Sequence, residues 1–189
     1  MQKLGEGCLK TLAIFCFSWS FANEIIKRGS KIFDVEDLKT LYACIQCGTC
    51  SGSCPAGRYT NLRTRLIVRN IQLGLRENVL GSDDLWACTT CYTCQERCPR
   101  NIMITDIVRV ARNIAFEEGH AKKPHLYVAH MFINTGHSIK FADEHRKLRE
   151  SVNVSSVPPT VLSYPEAMEE ISKLTELSGF KKKVLEREG

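Results

Sequence analysis

The sequence of 189 residues has no apolar run that reaches the length of a transmembrane helix, and strand patterns are nearly absent from it. Hydrophobic residues make up 43% and charged residues 25%, which excludes the disordered and membrane-spanning classes. No G-x-G-x-x-G follows a strand and no H-E-x-x-H is present, so neither a nucleotide or flavin site nor a zinc-protease site is predicted. The five histidines are expected to be surface or packing residues: His120, His125, His130, His137 and His145.

Cysteine is the unusual residue type in this composition. There are ten cysteines, about 5% of the chain, which is below the roughly 8–10% that marks a disulfide scaffold. Eight of them lie in two windows of twelve residues, CIQCGTCSGSCP from Cys44 to Pro55 and CTTCYTCQERCP from Cys88 to Pro99. Each cysteine of the second window lies 44 positions after its counterpart in the first, so one functional unit is repeated.

The spacing C-x2-C-x2-C-x3-C-P is typical of the bacterial-type run that binds [4Fe–4S] clusters. Three thiolates must converge on a compact cubane from a short loop, and two intervening residues allow this. The fourth cysteine precedes a proline, which fixes φ and supplies no N–H, so this cysteine is aimed away from its own loop. In two-cluster proteins of this type it ligates the other cluster. We therefore assign Cys44, Cys47, Cys50 and Cys98 to one cluster, and Cys88, Cys91, Cys94 and Cys54 to the other.

Two other uses of cysteine fit this pattern less well. Structural zinc sites usually take two separated C-x2-C pairs, whereas each window places four thiols within eleven residues. Disulfides would need an oxidising compartment and give no reason for a duplicated motif with a proline after its last cysteine. Cys8 and Cys16 lie outside both windows in an apolar stretch, and we expect them to be small hydrophobic packing residues.

Helix signals surround both windows. We expect an all-α fold with three segments. Residues 1–33 form an N-terminal apolar segment or helix, and residues 34–150 form an alpha-helical ferredoxin-like domain with two [4Fe–4S] clusters. Residues 151–189 form a linker with a C-terminal helix. The run from Leu12 to Ala22 has the outline of a signal peptide, but a packed helix is the preferred interpretation. The pattern predicts helices over 34–42 with Asp34 as cap, 62–74 with Asn61 as cap, 83–86, 105–118 with Thr105 as cap, 124–134 and 165–177.

The cysteine count points to electron transfer rather than to catalysis at iron. Eight cysteines supply a thiolate to every iron of two clusters, so no coordination position is left open for a substrate. We expect a relay of one-electron centres between a donor protein and an acceptor protein. Nucleic-acid binding is not expected, because no recognition element accompanies the clusters. Arginines near both windows are expected to balance cluster charge and to pair with a docked partner: Arg63, Arg65, Arg69, Arg76, Arg97, Arg100, Arg109 and Arg112.

The formal net charge of +5 changes when the clusters are counted. Eight thiols lose eight protons, while two oxidised cores of charge +2 add four positive charges, so the loaded protein is near +1. The arginines therefore largely balance the cofactors, and the protein is not expected to seek anionic partners.

These motifs resemble those of the C-type iron–sulfur subunits of the heterodisulfide reductases of methanogenic archaea. The resemblance lies in CIQCGTCSGSCP, in CTTCYTCQERCPR with the ITDIV segment at 104–108, and in the wide spacing between the motifs, and it covers roughly residues 25–150. The motifs alone are shared with helical ferredoxin domains of succinate dehydrogenase-like, glycolate oxidase-like and glycerol-3-phosphate dehydrogenase proteins. Both motifs are intact here without a fused cysteine-rich domain, which favours the heterodisulfide reductase family.

The resemblance implies a cytoplasmic electron-transfer subunit of an oxidoreductase, with no substrate site of its own and no membrane span. In such complexes the A-type subunit carries a bifurcating flavin, and the B-type subunit carries the non-cubane clusters that reduce the CoM-S-S-CoB heterodisulfide in methanogenesis. The two clusters here would relay single electrons from the former to the latter, with a hydrogenase or a formate dehydrogenase as a further partner. The alternative is an iron–sulfur relay subunit of a related oxidoreductase, either a quinone-linked dehydrogenase or a sulfur-oxidising heterodisulfide reductase-like complex.

Overall fold

The computed structural model describes residues 20–186, and this part of the chain contains helices and connecting loops without a β-strand. The all-helical expectation is therefore confirmed. The chain divides into two compact units, with the boundary between His120 and Ala121. Between residues 20 and 186, no helix combines the length and the apolar character needed to cross a membrane.

The first unit carries both cysteine windows. In each window a short helix begins two residues after the second cysteine, so the cysteine loop winds directly into helical backbone. The α-helices of this unit are α1 (Ser20–Gly29), α2 (Val35–Lys39), α3 (Thr49–Ser53), α4 (Thr64–Gln72), α5 (Arg76–Leu80), α6 (Asp83–Trp86), α7 (Thr93–Glu96) and α8 (Ile104–Glu117), with 3-10 turns at Thr40–Ala43 and Ala56–Arg58.

Helix α8 is the central element of the first unit, and it packs against α1, α4, α5, α6 and α7. Its apolar residues recur every three or four positions, at Ile107, Val110, Ala111 and Ile114, and all four are buried. Burial of such side chains stabilises the fold by about 25 cal/mol for each Å² of apolar surface removed from water. The other large side chains that are almost fully buried are Phe21, Ile25, Leu38, Leu41, Leu62, Ile71, Leu80, Leu85 and Ile102.

Asp34 begins α2, as the sequence predicts. Its Oδ1 accepts hydrogen bonds from the backbone N–H of Glu36 at 2.7 Å and of Asp37 at 3.4 Å, which satisfies two of the free donors of the first turn. The chain then continues as the 3-10 turn Thr40–Ala43, which delivers it to Cys44.

The caps expected for α4 and α8 are wrong. Asn61 does not cap α4; the backbone N–H of Arg65 in its first turn donates to the hydroxyl of Ser51 at 2.9 Å. Thr105 lies inside α8 as its second residue, and its N–H donates to Oε1 of Gln95 at 3.2 Å. Ser51 and Gln95 both follow the third cysteine of their window, so each cysteine loop caps the long helix that comes after it.

The second unit is also helical. The expected helices over 124–134 and 165–177 are present, and the basic C-terminal stretch forms a further short helix. Phe132 and Phe180 pack edge to face with ring centres 6.3 Å apart, which joins the first and last helices of this unit. Its described elements are α9 (Lys123–Thr135), α10 (Asp143–Ser151), a 3-10 turn at Val161–Ser163, α11 (Pro165–Leu177) and α12 (Phe180–Leu185).

The domain boundaries expected from the sequence, at 33/34 and 150/151, stay predictions. Cys8, Cys16 and most of the run Leu12–Ala22 lie outside the described residues. The last two residues of that run, Phe21 and Ala22, lie in α1 and are buried.

Candidate metal centres

The two cysteine loops have left-handed backbone at the same two positions. Gln46 and Thr90, each two residues after the first cysteine of their window, have φ angles of 57° and 53°. Gly48 and Tyr92, each one residue after the second cysteine, have φ angles of 85° and 61°. The left-handed region costs a non-glycine residue about 1–2 kcal/mol, so its recurrence at three such residues indicates a functional constraint on the loops.

The eight window cysteines line two cavities. We call the cavity beside the first window the first cavity and the cavity beside the second window the second cavity. The fourth cysteine of each window lies at the cavity of the other window. The first cavity is lined by Cys44, Cys47, Cys50 and Cys98, and the second by Cys54, Cys88, Cys91 and Cys94.

The two cavities are neighbours because α3 packs against α7. These short helices carry the inner thiols of the two windows, Cys50 and Cys94, which are both buried. Burial raises the pKa of both thiols, and the nearby Cys50 adds to the rise at Cys94. The inner sides of the two cavities are therefore within electrostatic reach of each other.

The outer thiols, Cys47 and Cys91, are exposed. The hydroxyls of Thr49 and Thr93 lie 3.4 Å from the sulfur atoms of Cys47 and Cys91 respectively. The side-chain hydrogen bond with the threonine lowers the pKa of the adjacent thiol and so favours the thiolate, which is the form that binds iron. Each cavity thus has one exposed thiol whose ionised form is favoured.

The first residues of the two long helices differ in polarity. Thr64 and Ile104 are the first residues of α4 and α8, and they line the second and the first cavity respectively. Thr105 also lines the second cavity, with its hydroxyl 3.6 Å from the sulfur of Cys94. At the first helical position the second cavity therefore has a hydroxyl where the first has a branched apolar side chain.

Three of the arginines near the windows lie at these sites. Arg65 and Arg100 line the first cavity. Arg112 donates a hydrogen bond to the backbone carbonyl of Cys88, at the start of the second window. Arg63 instead donates to three backbone carbonyls of the loop before α4, so it stabilises that loop.

Arg76 lies in an ion-pair network away from both cavities. It donates to Oε2 of Glu24 at 2.9 Å and to Oε2 of Glu118 at 2.6 Å. These hydrogen bonds hold the pKa of both carboxyl groups below the ordinary value and raise the pKa of Arg76. The network joins α1, α5 and the end of α8, and its role is structural.

The sequence-based reasoning missed three polar side chains that shape the site. Ser51 and Gln95 cap the helices after the loops, and Gln72, which is buried, donates to the backbone carbonyl of Leu41 at 2.9 Å. The 44-residue period relates Ser51 to Gln95 and could have revealed that pair. No local pattern marks Gln72, whose partner lies 31 positions earlier.

The donor sets fit [4Fe–4S] clusters. Each cavity presents four thiols, and a cubane takes one thiolate for each of its four irons. The eight cysteines are free thiols rather than disulfides. In residues 20–186 no three Cys, His, Asp or Glu side chains are arranged around a single ion. The window cysteines instead line two cavities in sets of four.

Comparison with known proteins agrees with this chemistry. Residues 40–102 match the family model of the 4Fe-4S dicluster domain. The C-type iron–sulfur subunit of the CoB–CoM heterodisulfide reductase of Methanopyrus kandleri is 48% identical over 162 residues, which cover 86% of this chain and 84% of that protein. The C-type subunit of the H(2):CoB-CoM heterodisulfide,ferredoxin reductase of Methanothermobacter marburgensis is 43% identical over 141 residues, which cover 75% of this chain and 76% of that protein. The second C-type subunit of the H(2)/formate:CoB-CoM heterodisulfide,ferredoxin reductase of Methanococcus maripaludis is 41% identical over 166 residues, 85% of this chain and 90% of that protein.

The helical fold and the two four-cysteine cavities define a dicluster protein of the alpha-helical ferredoxin type, which holds two [4Fe–4S] clusters and transfers electrons. The resemblance seen in the motifs is confirmed by the comparisons. The chain belongs to the family of C-type iron–sulfur subunits of heterodisulfide reductase, and it is an electron-transfer subunit of an oxidoreductase complex.

Proposed function

We propose that this chain carries single electrons from a flavin-bearing A-type subunit to a catalytic B-type subunit that reduces the CoM-S-S-CoB heterodisulfide. The observation that carries the proposal is the pair of neighbouring cavities, each lined by four thiols. In this proposal Cys44, Cys47, Cys50 and Cys98 hold one cluster, and Cys88, Cys91, Cys94 and Cys54 hold the other.

The positions of the thiols support a relay with two ends. Cys47 and Cys91 are exposed, so each cluster would have one side open to a partner protein. Cys50 and Cys94 are buried where α3 packs against α7, so the inner sides of the clusters would face each other through protein. An electron accepted at one end can then reach the other without passing through water.

The stoichiometry of the reaction fits one-electron delivery. Cleavage of a disulfide to two thiols takes up two electrons and two protons. Because a [4Fe–4S] cluster supplies one electron at a time, two successive transfers through the chain complete one turnover at the catalytic partner. The chain's own residues hold the clusters, keep solvent from their inner sides and present the outer sides to the partners.

The names of the relatives support the choice of partners. The protein from Methanothermobacter marburgensis is named for H(2), ferredoxin and the heterodisulfide, and that from Methanococcus maripaludis adds formate. We infer that the flavin-bearing and the catalytic subunits of heterodisulfide reductase are the direct partners and that a hydrogenase or a formate dehydrogenase belongs to the larger complex. The proposal places this complex in the cytoplasm.

Reconstitution of the complex tests this function. The flavin-bearing and catalytic subunits are combined anaerobically with the loaded chain, the flavin is reduced, and loss of heterodisulfide is followed. Omission of the chain, or its replacement by the Cys47→Ala or Cys91→Ala variant, should reduce the rate to background, while the exposed-site variant Lys31→Met should be fully active. Equal rates with and without the chain would refute the relay.

A further inference from the structure

The repeat of the cysteine windows continues into helices α4 and α8. Val68 and Val108 are the fifth residues of these helices, and they line the first and the second cavity respectively. Gln72 and Arg112 are the ninth residues of the same two helices. Gln72 and Arg112 therefore occupy equivalent positions in the two halves of the repeat.

Both side chains hold the same point of the backbone. Nε2 of Gln72 donates to the carbonyl of Leu41 at 2.9 Å, and Nε of Arg112 donates to the carbonyl of Leu85 at 2.9 Å. Leu41 and Leu85 each lie three residues before the first cysteine of a window. An amide and a guanidinium thus perform the same task, which is to fix the chain as it approaches its cysteine loop.

The two side chains differ in charge and in reach. Nη2 of Arg112 donates to the carbonyl of Trp86 at 3.1 Å and also to the carbonyl of Cys88, and the guanidinium lies 6.0 Å from the centre of the Trp86 ring. The side chain is half-buried, and no carboxylate within residues 20–186 forms an ion pair with it. Arginine is always charged in proteins, so the guanidinium of Arg112 places a positive charge beside the backbone of Cys88, the first cysteine of the second window. At the equivalent position of the first half, Gln72 has a neutral amide.

Other cations also lie near the cavities. Arg100 lines the first cavity but is exposed, while Arg65 lines the same cavity and is half-buried, as Arg112 is. Arg109, one turn before Arg112, is 45% exposed and pairs with Asp106 at 3.4 Å. Water and counter-charges weaken the field of exposed cations, whereas a half-buried cation bonded to a ligand residue keeps most of its effect.

We propose that Arg112 is a positioning residue that raises the midpoint potential of the cluster at the second cavity. A fixed positive charge stabilises the reduced form, which carries one more negative charge than the oxidised form. The inference rests on the proposed ligand sets, because they place Cys88 at that cluster.

An EPR-monitored redox titration of the loaded chain, with dithionite as reductant, tests the proposal. The wild type should show one midpoint potential for each cluster, and Cys47→Ala, which keeps only the second-cavity cluster, assigns them. Arg112→Gln, which copies the residue of the other half, should lower the midpoint of the second-cavity cluster by about a tenfold change in the one-electron equilibrium constant, ~59 mV, and leave the other midpoint unchanged. Arg112→Lys keeps the charge and should retain most of the wild-type midpoint, and the exposed-site control Arg58→Gln should move neither midpoint.

The outcomes separate this proposal from the function on which it rests. Unchanged midpoints in Arg112→Gln, an equal fall of both midpoints, or a fall of the first-cavity cluster's midpoint alone would each overturn the role of Arg112. Loss of half the iron from Arg112→Gln would also overturn it, since Arg112 would then act in assembly rather than on the potential. A wild-type chain that takes up no electron from dithionite would instead refute the relay itself.

Discussion

Cys54 and Cys98, the last cysteines of the two windows, have exchanged places: each lies at the cavity formed by the other window. Each cavity therefore takes three thiols from one window and its fourth thiol from the other window. The two loops are interlocked in one unit, in which α3 packs against α7, rather than being two separate cluster modules in series.

The exchange predicts which cluster is lost when a fourth cysteine is removed. Cys98→Ala should lose half of the iron, and the EPR spectrum of its remaining reduced cluster should match that of Cys47→Ala, because Cys98 and Cys47 line the same cavity. Cys54→Ala should in the same way match Cys91→Ala. A match between Cys98→Ala and Cys91→Ala would show that each window binds its own cluster.

The network around Arg76 should contribute measurably to stability. The substitution Arg76→Met removes the guanidinium from which Glu24 and Glu118 both accept hydrogen bonds. We expect a loss of about 1–2 kcal/mol in the free energy of unfolding, measured by anaerobic denaturant titration of the loaded chain. Lys31→Met, at an exposed position of the same unit, is the control and should change stability by less than about 0.5 kcal/mol. Equal losses in the two variants would argue against a structural network.

The same network predicts a pH dependence of stability. Hydrogen bonds from Arg76 hold the pKa of Glu24 and Glu118 below the ordinary value of 4.5. Because a depressed carboxyl pKa stabilises the folded state only while the group is ionised, this contribution is complete above about pH 5 and is lost as the pH falls through the folded-state pKa. The stability advantage of the wild type over Glu118→Gln should therefore be constant from about pH 8 to pH 5 and shrink below about pH 4.5. An advantage that grows on acidification would contradict the direction of the pKa shift.

Gly29 at the end of α1 is predicted to tolerate no side chain. A Cβ there would lie 2.6 Å from Cδ1 of Leu38 and 2.8 Å from Cγ2 of Val110, and both residues are buried. Gly29→Ala should destabilise the protein by about 1–3 kcal/mol through overpacking. Gly52→Ala is the matched control, since a Cβ at Gly52 meets nothing within 4 Å and alanine favours the helix. Melting temperatures of the two variants compare them directly, and equal values would contradict the close packing at Gly29.

Local patterns in the sequence predicted much of this fold. The helix over 83–86 and those near 124–134 and 165–177 were predicted within one residue, and Asp34 was predicted as a cap. Helix α1 was expected only as part of an N-terminal apolar segment or helix over 1–33, and its bounds were not predicted, because its apolar residues continue a run that resembles a signal sequence. The basic stretch after Gly179 forms α12 since Phe180 packs on Phe132 and Val184 is buried, contacts that no local pattern reveals.

The residues that the sequence did not predict are those whose partners lie far along the chain. Asn61 has the side chain of a good cap, yet a hydroxyl 14 positions before Arg65 takes that role. Leu66 fits the apolar pattern of α4 but is 47% exposed, because Val68 and Ile71 fill the inner face of the helix. The motif spacing predicted the cysteine sets, whereas the polar and charged side chains that hold the cysteine loops depend on tertiary contacts.

Iron analysis combined with EPR spin quantitation of the anaerobically reduced chain tests the two-cluster relay most directly. The relay requires about eight irons per chain and, after full reduction, about two spins from two [4Fe–4S] clusters. A preparation with about four irons and one spin, or one whose full complement of iron takes up no electron, would contradict it.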